Sequence, residues 1–169
     1  METRRGFFAS LASIALGKKE EAPFNPFLPG FIQASADKCG TCVTSSCKNV
    51  CEEGIVIRSE SSVPYLDFSR RGCTFCGECA TACESDCFVA EPIEKIEARF
   101  EIGILSCLAW NKTICQSCKD VCNEKAIQFT GLWNPEIDSN LCTGCGFCVG
   151  VCPAYTIQIL APEPLKGVS

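Results

Sequence analysis

Sixteen of the seventeen cysteines in this 169-residue chain fall into four sets of four, and their spacing is where its chemistry must lie. The sets are Cys39, Cys42, Cys47 and Cys51; Cys73, Cys76, Cys79 and Cys83; Cys107, Cys115, Cys118 and Cys122; and Cys142, Cys145, Cys148 and Cys152. The second and fourth follow C-x2-C-x2-C-x3-C, and the fourth closes on Pro153, which is the run that holds a cubane 4Fe-4S cluster. Three thiolates from one tight loop must reach three corners of one cube, so only about two residues can separate them. Gly77, Gly144 and Gly146 supply the freedom such a loop needs. The fourth cysteine of each run opens a short helix and reaches a neighbouring cluster, as in two-cluster proteins. Crossed ligation would then join Cys39, Cys42 and Cys47 with Cys83, and Cys73, Cys76 and Cys79 with Cys51. It would likewise join Cys142, Cys145 and Cys148 with Cys122, and Cys107, Cys115 and Cys118 with Cys152.

Other thiol chemistries fit less well. A zinc ribbon uses two C-x2-C pairs about 15 to 20 residues apart, not three or four ligands in one loop. A secreted disulfide scaffold is disfavoured by the odd cysteine count and by the lack of a convincing cleavable signal. The chain has no histidine, and its single methionine is Met1. That excludes a Ser-His-Asp or Cys-His nucleophile, a histidine-bound catalytic zinc, a Rieske centre and c-type haem attachment. No substrate-turnover site is visible, and an electron-transfer or assembly protein rather than an enzyme is expected.

The two remaining sets are irregular. Thr44, Ser45 and Ser46 lie in a gap widened to C-x4-C, an insertion that a loop absorbs at low entropic cost. In the third set seven residues, Leu108 to Ile114, separate Cys107 from Cys115, so a three-iron cluster held by three cysteines, with Cys107 merely buried, is the alternative. Cys87, four residues after Cys83, reads as a small core residue.

The elements that position these loops are short. Apolar runs at Ile55–Ile57, Val63–Phe68, Phe100–Leu105, Ala126–Phe129 and Thr156–Leu160 read as strands before or after the cysteine loops. Strand, loop, short helix and strand make a ferredoxin half-unit. The expected fold is therefore α+β, with tandem bacterial-type modules of two 4Fe-4S clusters each, over 37–90 and 99–163. The charged stretch 91–98 reads as a linker and 164–169 as a tail. Leu, Ile, Val and Phe make up only about a quarter of the chain, so cross-links must supplement a thin core.

Residues 1–36 contain no cysteine. Arg4 and Arg5 invite a reading as twin-arginine export, but the apolar region up to Gly17 is short and is followed at once by Lys18 and Lys19. The favoured reading is a docking helix with Phe7, Phe8, Leu11, Ile14 and Ala15 on one face, for a partner or a membrane surface. Pro23 to Phe31 would be an extended strip packed on the body or on a partner. No run approaches the roughly 18 apolar residues of a membrane span. Sixteen thiolates and four 2+ cubanes would bring the formal charge of −5 to about −13, which excludes nucleic acid and suits a partner with a basic face.

Taken together, the chain resembles the NapF-type ferredoxins encoded with periplasmic nitrate reductase. The resemblance is carried by Arg4 and Arg5, by Cys73-Thr74-Phe75-Cys76, by Phe100-Glu101-Ile102-Gly103 leading to Cys107-Leu108-Ala109, by Cys115 to Cys122, and by Cys142-Thr143-Gly144-Cys145-Gly146 closing on Cys152-Pro153. The displaced Cys107 is its most specific part. The chain departs from the pattern in the C-x4-C gap, and in Glu84 and Asn123 where proline often follows the fourth cysteine. The resemblance implies a cytoplasmic accessory protein with four 4Fe-4S clusters that meets the catalytic molybdoenzyme subunit before export and assists its maturation. A plain electron-transfer subunit working with a redox partner protein, or a redox or iron sensor, would use the same ligands.

Overall fold

The computed structural model describes residues 24–59 and 62–162. The arginine pair, the apolar face from Phe7 to Ala15 and the 164–169 tail lie outside the described residues. A 3-10 turn at Gln33–Ser35 leads into α1 (Ala36–Thr41), followed by α2 (Ser46–Asn49), β1 (Val56–Ile57), β2 (Tyr65–Leu66) and α3 (Glu78–Thr81). The second half comprises β3 (Arg99–Ile102), α4 (Ser117–Asp120), β4 (Ile127–Thr130), β5 (Trp133–Ile137), α5 (Phe147–Gly150) and β6 (Ile157–Leu160). Among the described residues no helix is long and apolar enough to cross a membrane.

The strands pair antiparallel in twos: β1 with β2, β4 with β5, and β3 with β6. Val56 lies opposite Leu66, and Arg99 to Ile102 run against Leu160 to Ile157. Two-stranded ribbons and single-turn helices are marginal alone in water. What secures them is mutual packing, α2 on α3 and α4 on α5, around the cysteine loops.

The proline-rich strip packs on the body, one of the two places expected for it, whereas the 91–98 stretch departs from its reading as a linker. The proline-rich strip is part of the body: Ile32 N–H donates to Cys87 O at 2.9 Å, Val89 N–H to Gly30 O at 2.9 Å and Leu66 N–H to Pro26 O at 2.8 Å. Phe31 pairs with Phe88 as β3 pairs with β6, so the strip serves the first half as β3 serves the second. Its other end is tied to the second half, where Phe24 N–H donates to Ile159 O at 3.3 Å. Within 91–98, the stretch that reads as a linker, Ile96 is 1% exposed, and its N–H donates to Thr143 O at 2.9 Å. Periodicity misses Ile96 because it is a single apolar anchor among charges.

β5 has no counterpart among the expected strands, because Asn134 and Pro135 break the pattern. Asn134 takes φ +52° and the ladder shifts between Phe129 and Thr130, which lets buried Pro135 sit opposite Phe129. An irregularity of this kind in a two-stranded ribbon is where proline is tolerated. The carbonyl of Pro135 accepts from Trp110 Nε1 at 3.1 Å.

One core joins the halves: Leu28, Ile55, Val56, Leu66 and Phe68 from the first pack with Ile96, Phe100 and Ile157. The Phe68 and Phe100 rings stand 6.0 Å apart. Glycines make the approach possible. A Cβ on Gly146 would lie 2.3 Å from the Phe68 ring, one on Gly72 2.5 Å from the Phe147 ring, and one on Gly150 2.7 Å from the Arg70 backbone.

Candidate metal centres

The four cysteine loops share one backbone plan. Three residues after the last cysteine of each set, Gly54, Asp86, Lys125 and Tyr155 take φ of +65°, +49°, +52° and +49°. At three of the four turns the positive-φ residue's N–H returns to the cysteine carbonyl: Gly54 to Cys51 at 3.0 Å, Lys125 to Cys122 at 3.1 Å and Tyr155 to Cys152 at 3.1 Å. A second left-handed position precedes α2, α3 and α5, at Ser45, Gly77 and Gly146. Only some of these are glycine, so the repeat is clearer in the dihedrals than in the residue types.

Each of the four short helices carries one cysteine, Cys47, Cys79, Cys118 or Cys148, and the last cysteine of the set, Cys51, Cys83, Cys122 or Cys152, lies two residues past the helix end rather than opening the helix, as the sequence suggests. Cys39, Cys42, Cys47 and Cys83 surround one cavity, which Arg58 and Cys87 also line. Cys107, Cys115, Cys118 and Cys152 surround a second. Cys122, Cys142, Cys145 and Cys148 surround a third, which Cys73 borders as well. At Cys73 and Cys79 burial is the larger cause of the shift, after which Cys73 feels the charges of Cys76, Cys51 and Cys145, and Cys79 those of Cys73, Cys76 and Cys47.

The thiols ring cavities rather than a point. Among the described residues, no three or more cysteine, aspartate or glutamate side chains converge as they would on a single metal ion. Four thiols around a space, with no histidine in the chain, are a donor set suited to an iron-sulfur cluster.

Electrostatics fit metal-free thiols that must lose protons when metal binds. Burial pushes Cys73 up to about 11, Cys118 to about 11 and Cys79 to about 12, with repulsion from neighbouring thiolates adding to it. The same cause drives Cys148 well above the ordinary thiol range, and raises Cys39, Cys47 and Cys142. Cys42 goes the other way, lowered to about 7 by the Thr44 hydroxyl, the Ser45 backbone N–H and Arg58.

Arg58 explains how the widened first loop keeps its shape. Its guanidinium donates to Cys39 O at 2.6 Å, to Cys42 O at 2.8 Å, to Ser45 Oγ at 3.0 Å and to Ser62 O at 3.0 Å. Nothing in the sequence marks this arginine, a lone cation one residue beyond β1. Cys87 is only 1% exposed, yet it borders the first cavity, with Sγ 3.5 Å from Ser85 O and 3.8 Å from Ser35 O. Burial, then repulsion from Cys83 and Cys39, pushes it up to about 11.

Short cysteine-bearing helices, antiparallel ribbons and thiols gathered around cavities define a ferredoxin-type iron-sulfur protein. The chain belongs to the NapF-type ferredoxin family. It is 35% identical over 123 residues to Ferredoxin-type protein NapF of Escherichia coli K12, covering 70% of this chain and 73% of the relative. It is 31% identical over 169 residues to Ferredoxin-type protein NapF of Haemophilus influenzae KW20, covering 92% and 89%. Ferredoxin-type protein NapG of the same organism is 28% identical over 156 residues, covering 80% of this chain and 56% of its own length. Residues 113–162 match the LdpA Fe-S cluster-binding domain, a span that contains Cys115, Cys118 and Cys122 and the whole fourth cysteine set.

Proposed function

We propose that this chain carries four resident 4Fe-4S clusters on tandem ferredoxin modules and serves, in the cytoplasm, as an accessory protein of periplasmic nitrate reductase, supplying electrons to its catalytic subunit during maturation. The proposed ligands are Cys39, Cys42, Cys47 and Cys83; Cys51, Cys73, Cys76 and Cys79; Cys107, Cys115, Cys118 and Cys152; and Cys122, Cys142, Cys145 and Cys148, three of which sets surround cavities. A cluster of this kind accepts and releases one electron without making or breaking a substrate bond. The protein's residues supply thiolates, bury the sites and fix the loops through Arg58 and the left-handed turns.

The observation that favours electrons over clusters as the cargo is that one ligand in each half, Cys47 and Cys152, is part of the core, although Cys76 is exposed. Cys47 and Cys152 are 8% and 9% exposed and belong to the same apolar core as Leu28 and Phe68. Withdrawing a cluster from such thiols would open the packing that holds the short helices together. An assembly factor that hands over clusters would instead present its ligands at the surface. The cysteine-free segment 1–20 is the proposed docking element for the catalytic subunit, and the acidic holo-protein favours a basic face on that partner.

Two experiments test this reading. Deleting residues 1–20 should leave the iron content unchanged and abolish co-purification with the catalytic subunit; undiminished co-purification would remove the docking role. Incubating protein loaded with radioactive iron with the metal-free catalytic subunit should leave the label where it began, whereas transfer of label would make clusters the cargo.

A further inference from the structure

Of the three cysteine-lined cavities described above, that of the fourth cysteine set is lined by both halves. The cavity around Cys39, Cys42, Cys47 and Cys83 is bordered only by residues between Cys39 and Phe88. That around Cys107, Cys115, Cys118 and Cys152 is bordered only by residues between Ile102 and Ile157. The cavity of Cys122, Cys142, Cys145 and Cys148, by contrast, has Cys73, Thr74 and Phe75 on its wall. At that wall Cys73 N–H donates to Cys145 O at 2.7 Å, the backbone of one cysteine loop bonded directly to the backbone of the other. Gly72 and Phe147 lie in contact beside it, at a distance only a residue without a side chain allows.

We infer that the four sites stand in single file, with the site on Cys39, Cys42, Cys47 and Cys83 at one end, then that on Cys51, Cys73, Cys76 and Cys79, then that on Cys122, Cys142, Cys145 and Cys148, and the site on Cys107, Cys115, Cys118 and Cys152 at the other end. Within each half the file is built by cysteine pairs four residues apart that each supply a ligand to two successive sites: Cys47 with Cys51 and Cys79 with Cys83 in the first, Cys118 with Cys122 and Cys148 with Cys152 in the second. Between the halves it is built by the bond from Cys73 to Cys145. An electron entering from a one-electron donor protein at one end crosses between the halves only there. Each hop oxidises one site and reduces its neighbour by one electron, with no bond broken and no proton moved. The two ends lie in different halves, so a donor and an acceptor can be engaged without competing for one surface.

The inference rests on the proposed ligand assignment, and iron analysis separates failure of one from failure of the other. In the holo-protein, Cys42→Ala with Cys115→Ala removes an end site from each half, and Cys76→Ala with Cys145→Ala removes the two inner sites. Each double variant should retain about eight irons; markedly different iron content would fault the ligand assignment. In dithionite-reduced samples with eight irons, paramagnetic resonance should show spin coupling between the surviving clusters when the inner pair remains. The two end clusters should give separate, uncoupled spectra. Coupling between the end clusters, or none between the inner ones, overturns the order. Gly72→Val provides a second route should a double variant not fold. With about sixteen irons retained, it should weaken coupling between the halves, and unchanged coupling would overturn the junction.

Discussion

The Arg58 guanidinium donates to the Cys42 carbonyl at 2.8 Å, across sixteen residues of chain, and so closes the widened first cysteine loop. Charge-assisted hydrogen bonds contribute about 1.5 to 3 kcal/mol each, and their loss leaves carbonyls of the loop unsatisfied. Arg58→Met is therefore expected to empty the first site, lowering iron from about sixteen to about twelve per chain, while Arg58→Lys retains part of it. Anaerobic iron analysis of the purified variants checks this, and full occupancy in Arg58→Met would refute the role.

Phe68 is 1% exposed, faces Gly146 and stands 6.0 Å from the Phe100 ring. Phe68→Ala removes a large buried side chain at the junction of the halves and should cost about 3 to 5 kcal/mol. Gly146→Ala acts from the other side, since its Cβ would fall 2.3 Å from that ring at φ +80°. Both should lower the temperature at which cluster absorbance bleaches, with no change in the iron content of the folded protein.

Metal loading should depend on pH in one direction. Cys73, Cys79 and Cys118, pushed up to about 11, 12 and 11, hold their protons at neutral pH in the metal-free fold and must release them to become ligands. A raised acid releases its proton more readily as pH rises, so reconstitution should be more complete at pH 8.5 than at pH 6.5. Cys42, lowered to about 7, is the exception and should be the first cysteine alkylated in metal-free protein at pH 7. Peptide mass mapping after brief iodoacetamide treatment checks the second point.

Cys87 borders a site without belonging to a set. Its thiol is placed against the carbonyl oxygens of Ser85 and Ser35, and Cys87→Ala should keep all about sixteen irons while lowering stability by about 1 kcal/mol. Loss of about four irons would make it a ligand.

The parts of this molecule that are legible in its sequence are those fixed over a few residues. Three thiols reaching one cubane must be about two residues apart, so the C-x2-C-x2-C-x3-C runs carry the site in their spacing. The Ile55–Ile57 and Val63–Phe68 runs likewise announce the β1–β2 ribbon. What the sequence conceals depends on partners distant in the chain. Pro26 and Pro29 hide the strip that pairs with Phe88, because a proline has no N–H to donate, yet the Pro26 carbonyl accepts from Leu66 and the other bonds fall on Gly30 and Ile32. Ile96 reads as one apolar residue among charges until Thr143 and Gly144 are seen against it. The fourfold turn is masked because Asp86, Lys125 and Tyr155 occupy a conformation that only Gly54 advertises. Arg58 has no local signature at all, since its bonds reach back to Cys39 and Cys42.

The central claim is that all four sets are filled, the irregular ones included. Anaerobic determination of iron and acid-labile sulfide on the full-length protein tests it most directly. Four filled sets give about sixteen of each per chain; about eight of each would mean that only the two regular runs are loaded and that the irregular sets stay empty.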